Sequence, residues 1–262
     1  MPRLAANLTM MFAEWGFLDR FAASADAGFG AVEFLFPYEY PAAEIAARLR
    51  QNGLKLAIFN LPPGNWAAGE RGMAALPERR DEFRASVAKA LSYAQDLGVE
   101  RLHVMSGLAD RARPSALASY RDAISFACAA AAKHQIAIMI EPINGRDMPG
   151  YFLNNFDFAT ELIRDLGAPN LRLQYDIYHR QILHGDVMKS LEALMPLIGH
   201  VQIAAVPLRH EPFSGELDDG RVLGHLDALG YAGYVGLEYR PANGTLAGLS
   251  WRDRLKGAQP SS

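Results

Sequence analysis

The stretch Phe158-Ala159-Thr160-Glu161-Leu162-Ile163-Arg164-Asp165-Leu166-Gly167 is followed, after Ala168-Pro169-Asn170, by Leu171-Arg172-Leu173-Gln174-Tyr175-Asp176. Phe158, Leu162 and Leu166 recur every four residues, so they share one face of a helix. Gly167 stands where that helix closes, because glycine takes the left-handed conformation without a Cβ clash. Leu171–Tyr175 has the length of a strand. Helix, glycine, strand is part of a βα repeat.

The same order recurs on both sides. Phe83, Val87, Leu91, Ala94 and Leu97 lead to Gly98 and the run Arg101–Met105. Phe17, Leu18 and Phe21 lead to Gly28 and Ala31–Phe36. Gly53 and Gly230 stand before Leu54–Phe59 and Tyr234–Leu237. Further strand-length runs are Leu4–Leu8, Ile136–Ile140 and His200–Ala204. Ala137-Ile138-Met139-Ile140 is apolar throughout, which suits a parallel strand covered on both faces. Eight such runs predict an α/β chain folded as a single (β/α)8 TIM barrel over residues 1–262, with a frayed tail after about residue 255. The first strand lacks a Gly-x-Gly-x-x-Gly turn, so a dinucleotide fold has no support.

Composition agrees. Of 262 residues, 50% are hydrophobic and 21% charged, which excludes a disordered chain. Lys plus Arg is 26 and Asp plus Glu is 29, a net charge of −3. There is no basic excess to neutralise phosphates, so no nucleic-acid partner is expected. No apolar stretch reaches the roughly 20 residues of a membrane span, so no membrane partner is expected either. The single Cys128, in an alanine-rich run, excludes an intrachain disulfide and reads as a buried helix residue. Asn7, Thr9 and Glu14 interrupt any signal-peptide core, and the expected location is cytoplasmic. A homo-oligomer is compatible with all of this.

In barrels of this kind function sits where strands end, at the C-terminal face. Ile140-Glu141, Tyr175-Asp176 and Leu237-Glu238 place carboxylates there, and Gln202 stands within His200-Val201-Gln202-Ile203. Three carboxylates converging on one mouth repel each other unless a cation lies between them. The donors Glu141, Asp176, Gln202 and Glu238 are all hard oxygens, which select Mg²⁺ or Mn²⁺ over zinc. A hard cation on a carbonyl and a neighbouring hydroxyl acidifies the C–H between them. Glu141 and Glu238, from strands five and eight, could then flank the substrate as the proton-transfer pair.

Candidate substrate contacts surround this set. His179, three residues after Asp176, could turn back over the site. Arg209, after strand seven, could grip a carboxylate. Asn7 and Asn60 end strands one and three, and Glu33 lies in strand two facing either the mouth or an interior layer. The long loop Pro62–Gly72, with Trp66 and Glu70, reads either as a lid or as a packed surface loop.

The chain resembles the hydroxypyruvate isomerases, within the xylose-isomerase-like barrel group. The resemblance runs from Ala5-Ala6-Asn7-Leu8-Thr9-Met10-Met11-Phe12 to Trp251. Its specific blocks are Ala31–Tyr38, Trp66–Gly72, Ile140–Asn144, Gln174–His179, Gly199–Ala204 and Leu237–Pro241. It implies the same barrel, Glu141, Asp176, Gln202 and Glu238 on a divalent metal, and Glu141 with Glu238 moving protons. The implied activity is aldose–ketose isomerisation of a small 2-oxo acid, hydroxypyruvate to tartronate semialdehyde, through an enediolate. A close branch that isomerises 2-oxo-tetronates, one carbon longer, is similar as well.

This chain departs from the family where the substrate tail would lie. Ala205 and Leu208 stand where the family has Asp and the Gly of a Gly-Arg, and Leu217-Asp218-Asp219 replaces Ile-Asn-Tyr. The Arg209-His210-Glu211-Pro212 wording leans to the 2-oxo-tetronate branch, and Glu141-Pro142-Ile143-Asn144 to hydroxypyruvate. Three rivals remain. A ketose 3-epimerase resembles a site with histidine where this chain has Gln202. A barrel endonuclease would want more histidines and a basic face. A sugar-acid-binding protein would have no need of two opposed proton carriers.

Overall fold

A computed structural model describes residues 2–256. The tail expected to fray falls, from residue 257 on, outside the described residues. Nine strands form the centre: β1 (Arg3–Asn7), β2 (Ala31–Glu33), β3 (Lys55–Leu56), β4 (Phe59–Asn60), β5 (Arg101–His103), β6 (Ala137–Ile140), β7 (Leu171–Asp176), β8 (Ile198–Ile203) and β9 (Tyr234–Leu237). Every pairing is parallel, in the order β3-β2-β1-β9-β8-β7-β6-β5-β4.

The expected eight-stranded (β/α)8 barrel is therefore corrected to a nine-stranded parallel sheet. The run Leu54–Phe59, expected as one strand, is broken in two. β3 pairs only with β2 and β4 only with β5. The ladder to β2 lapses because β2 ends at Glu33, and past it the bond from Asn60 N to Leu35 O continues the contact. Ala57 N and Asn60 N bond Val32 O and Leu35 O on one side, while Leu61 N bonds His103 O at β5 on the other. The two ends of the sheet order are thus joined through Ala57-Ile58, and the sheet wraps into a barrel.

Helices α1 (Arg20–Asp26), α2 (Ala42–Gln51), α3 (Arg80–Leu97), α4 (Pro114–Ala132), α5 (Phe156–Leu166), α6 (Ile177–Leu183), α7 (Val187–Leu194), α8 (Asp219–Ala228), α9 (Thr245–Gly248) and α10 (Arg252–Lys256) follow in chain order. In α3 the expected stripe Phe83, Val87, Leu91, Ala94 and Leu97 is buried. Each large apolar side chain hidden this way contributes roughly 1.5–3 kcal/mol. Asp81 and Glu82 in its first turn suit the positive end of the helix dipole. α5 starts at Asn155, whose side chain accepts from Phe158 N at 2.8 Å, and ends at Gly167 in the left-handed conformation. Ile138, Met139 and Ile140 of β6 are fully buried, as an unalternating parallel strand requires. Cys128 is buried in α4, and burial pushes its thiol up to about 12, so it is an inert core residue. No helix among the described residues is long and apolar enough to cross a membrane.

The sheet order decides what can meet. β6, β7, β8 and β9 are successive neighbours, so residues at their ends share one sector of the mouth.

Candidate active site

Asp176 lies opposite Gln202, and Gln202 opposite Gly236, in the strand registers. Glu141 follows β6 directly and Glu238 follows β9. All four expected donors are buried. Asp176 also caps α6: its Oδ1 accepts from Tyr178 N at 2.8 Å, which leaves Oδ2 for the site. Gln174, two residues earlier on the same face of β7, donates from Nε2 to Glu141 Oε2 (3.0 Å) and to Gln202 Oε1 (2.6 Å). It ties the two ligand candidates together.

Arg209 is the cation the structure sets among these carboxylates. Its Nη2 lies 2.6 Å from Glu238 Oε2 and 3.5 Å from Asp176 Oδ2, and its Nη1 lies 3.3 Å from Asp147 Oδ2. The guanidinium also covers the Tyr178 ring, 4.9 Å from its centre. Burial opposes its charge, but Glu238, Asp176, Asp147 and Glu141 outweigh that and raise its pKa.

One guanidinium is too little for three buried carboxylates. Burial, reinforced by Glu238 and Asp176, pushes Glu141 well above the carboxylate range. Burial raises Glu238 to about 8 and Asp176 to about 6, in each case against the pull of Arg209. Glu141 Oε1 is buried with no hydrogen-bond partner. With only the arginine present, Glu141 and Glu238 thus keep protons near neutral pH, and a divalent cation would let them ionise. One atom each of Glu141, Asp176 and His179 lies within 4.8 Å of the others, a buried cluster able to hold such an ion.

His179 plays a different part from the oxygens. Its Nδ1 accepts from Asn144 N (3.3 Å) and from Asn144 Nδ2 (2.7 Å). Asn144 Oδ1 accepts from Arg146 N and Asp147 N, which fixes that amide's orientation. Burial, with Arg209 and His103, drives the ring well below its usual pKa, so it is neutral. A neutral ring whose Nδ1 accepts carries its proton on Nε2. Nε2 points toward Asp176 Oδ2 (3.5 Å) and Glu141 Oε1 (3.9 Å). It is a donor aimed at these two carboxylates.

The other expected contacts are placed as follows. Asn7 Nδ2 donates to Glu33 Oε1 (2.9 Å), while Asn7 Oδ1 accepts from Thr9 N and Met10 N. Asn60 is buried and its carbonyl accepts from Tyr38 Oη. Glu70 is held by Arg79 Nη1 (2.7 Å) and Asn65 N (2.6 Å), so it fastens its own loop. Trp66 is 37% exposed, with Arg71 stacked 3.9 Å from its ring centre and Phe36 beside it. The Pro62–Gly72 loop forms a short 3-10 turn at Trp66–Ala68 and is bridged to Ser106 at Gly72. Neither Glu70 nor Trp66 is brought against the carboxylates by these contacts.

Several interior residues escaped sequence reasoning. Gln174 and His200 each lie two residues before an expected ligand, so the strand period could have found them. His103, at the end of β5, is buried with both ring nitrogens unpartnered and its Nε2 3.7 Å from Glu141 Oε2. Burial, with His200, holds it down to about 3 and keeps it neutral. Asp147 and Tyr178, joined at 3.2 Å, gave no signal in the sequence.

A profile of the xylose isomerase-like TIM barrel family matches residues 21–255. The chain belongs to this family. Within it, the chain is 54% identical over 253 residues to a 2-oxo-tetronate isomerase of Cupriavidus necator, covering 96% of this chain and 97% of that one. It is 41% identical to the hydroxypyruvate isomerase of Escherichia coli, covering 97% and 99%. A crystal structure described as an AP endonuclease, family 2, from Brucella melitensis superposes with a TM-score of 0.94 at 46% identity, covering 97% and 99%. The similarity to isomerases over nearly the whole chain and the buried acidic cluster make this family member an enzyme of isomerase type.

Proposed function

We propose that this barrel isomerises a 2-oxo-tetronate, moving its carbonyl from C2 to C3. The observation that carries this reading is the 54% identity over 96% of the chain to a 2-oxo-tetronate isomerase, against 41% to a hydroxypyruvate isomerase. The sequence favoured hydroxypyruvate first, and that order is now reversed. The two acids share the same reacting unit, a C2 carbonyl beside a C3 hydroxyl, so the site chemistry serves both.

Glu141, Asp176, Gln202 and Glu238 supply the oxygen set for a divalent cation, Mg²⁺ or Mn²⁺ by donor chemistry. When bound, the cation acidifies the C3–H beside the carbonyl and balances the charge of the enediolate. Everything else falls to the chain. Arg209 offers the positive group that attracts the C1 carboxylate. His179 Nε2–H donates to a substrate oxygen and eases passage of the hydroxyl proton from O3 to O2. One carboxylate of the Glu141 and Glu238 pair takes the C3 proton, and the pair delivers one to C2. The C3–H and O3–H bonds are lost, the C2–H and O2–H bonds are gained, and nothing is oxidised overall.

Proton NMR in D₂O with Mg²⁺ or Mn²⁺ tests this. The expected result is deuterium at C2 of the product and C3 of the recovered substrate, faster for a 2-oxo-tetronate than for hydroxypyruvate. Faster exchange of hydroxypyruvate would restore the three-carbon reading. No exchange with either acid would end both.

A further inference from the structure

Glu33 ends β2 and is 1% exposed, yet the proton-transfer chemistry does not use it. A carboxylate so deeply buried must be surrounded by donors. Its Oε1 accepts from Asn7 Nδ2 (2.9 Å) and from Gln202 Nε2 (2.8 Å), and its Oε2 lies 2.7 Å from His200 Nε2. These partners sit on β1 and β8, while β2 and β8 are separated in the sheet by β1 and β9. The side chain therefore crosses the barrel interior. It passes β9 at Gly236, where a Cβ would stand 2.1 Å from Glu33 Oε2. Glycine is required there by the carboxylate, since the backbone of Gly236 is in ordinary strand conformation.

The consequence falls on Gln202. An amide has one donor end and one acceptor end, and a carboxylate can only accept. Glu33 therefore claims the NH₂ of Gln202 and turns its carbonyl oxygen the other way. That oxygen meets Gln174 Nε2, which also holds Glu141. Without Glu33, nothing on that side would distinguish the oxygen end from the nitrogen end.

We propose that Glu33 is a positioning residue: by holding the Gln202 amide it presents the carbonyl oxygen to the acidic cluster and sets the affinity of the site for a divalent cation. This rests on the reading of Gln202 as an oxygen ligand in the isomerase site. Outer partners of metal ligands typically change metal affinity by about 10–100-fold when altered.

Mn²⁺ binding, measured by calorimetry on the full chain, tests the proposal alongside isomerisation. Glu33→Gln keeps the size but can present either end of its amide, and should weaken Mn²⁺ about 10-fold or more. Gly236→Ala displaces the carboxylate without changing any charge and should weaken Mn²⁺ in the same direction. The swap Glu33→Gln with Gln202→Glu restores a donor facing an acceptor and puts oxygen toward the cluster whichever way it turns, so it should recover most of the loss. Circular dichroism confirms that each variant is folded. Unchanged Mn²⁺ affinity in folded Glu33→Gln, or a loss that the swap does not recover, overturns the proposal. If the wild type binds Mn²⁺ but isomerises neither acid, the functional reading fails while the Mn²⁺ series still decides the role of Glu33.

Discussion

Arg209 Nη2 lies 2.6 Å from Glu238 Oε2, with the two side chains 13% and 10% exposed. The pair is inside the mouth, where breaking it leaves a buried carboxylate with no counter-charge. Arg209→Ala should therefore cost about 3–5 kcal/mol in metal-free protein at pH 8.5, above the Glu238 value of about 8. The loss should shrink at pH 5, where Glu238 and Asp176 are protonated. Mn²⁺ should raise the melting temperature of Arg209→Ala by more than it raises that of the wild type, because ion and guanidinium neutralise the same oxygens. Thermal melts with and without Mn²⁺ at both pH values check this, and an unchanged melting temperature throughout would contradict it.

Glu141→Gln and Glu238→Gln separate chemistry from stability. Each removes a proton carrier, so deuterium exchange should fall by about 10²–10⁴-fold. Burial already pushes both carboxylates toward their neutral forms, so the neutral amide suits the metal-free fold. The melting temperature of Glu141→Gln, whose carboxyl is not the one paired with Arg209, should be unchanged or higher without metal. Near wild-type exchange in either variant would remove that residue from the proton-transfer pair.

Asp219 gives a second pH dependence. It is buried at the start of α8, its Oδ2 accepts from Phe213 N, and its Oδ1 has no partner. Burial raises its carboxyl to about 6. The folded chain thus holds this proton more tightly than the unfolded chain, whose aspartates titrate near 3.9. Its contribution to stability is fully present below about pH 4 and is lost as pH rises toward 6, at up to about 1.4 kcal/mol per pH unit. Asp219→Asn should abolish that slope. Urea unfolding of both proteins between pH 4 and 7 measures it, and parallel curves would rule the assignment out.

The acidic set was legible because strand ends are marked in sequence: an apolar run stops and a carboxylate follows, as at Ile140-Glu141 and Leu237-Glu238. The helices ending at Gly98 and Gly167 were legible for a similar local reason. The break between β3 and β4 was not, because it depends on where the neighbouring β2 ends. Nor was the use of Glu70, since its partner Arg79 lies beyond the loop at the start of another element. The joining of Glu33 to Gln202 is a contact across the barrel between residues 169 apart in sequence. No period or spacing encodes it, although the glycine at 236 is its trace.

His179 decides between two descriptions of the site, and metal affinity tells them apart. The ring stands beside Glu141 and Asp176 closely enough to serve as a ligand. Asn144 nevertheless donates twice to Nδ1, so the proton sits on Nε2 and the lone pair faces away from the carboxylates. Binding a cation at Nε2 would force the proton to Nδ1, against both donors, at a cost of about 1–3 kcal/mol for each bond lost. His179→Ala should therefore leave Mn²⁺ affinity within about twofold of wild type while lowering kcat/KM by about 10²-fold, the usual range for a lost donor at a reacting oxygen. His179→Gln, which keeps an N–H in reach, should recover part of that loss. Calorimetric titration with Mn²⁺ and exchange kinetics on the same preparations supply both readouts. A 10-fold or greater loss of Mn²⁺ affinity in His179→Ala would make the imidazole a ligand and move the substrate contact to Arg209 alone.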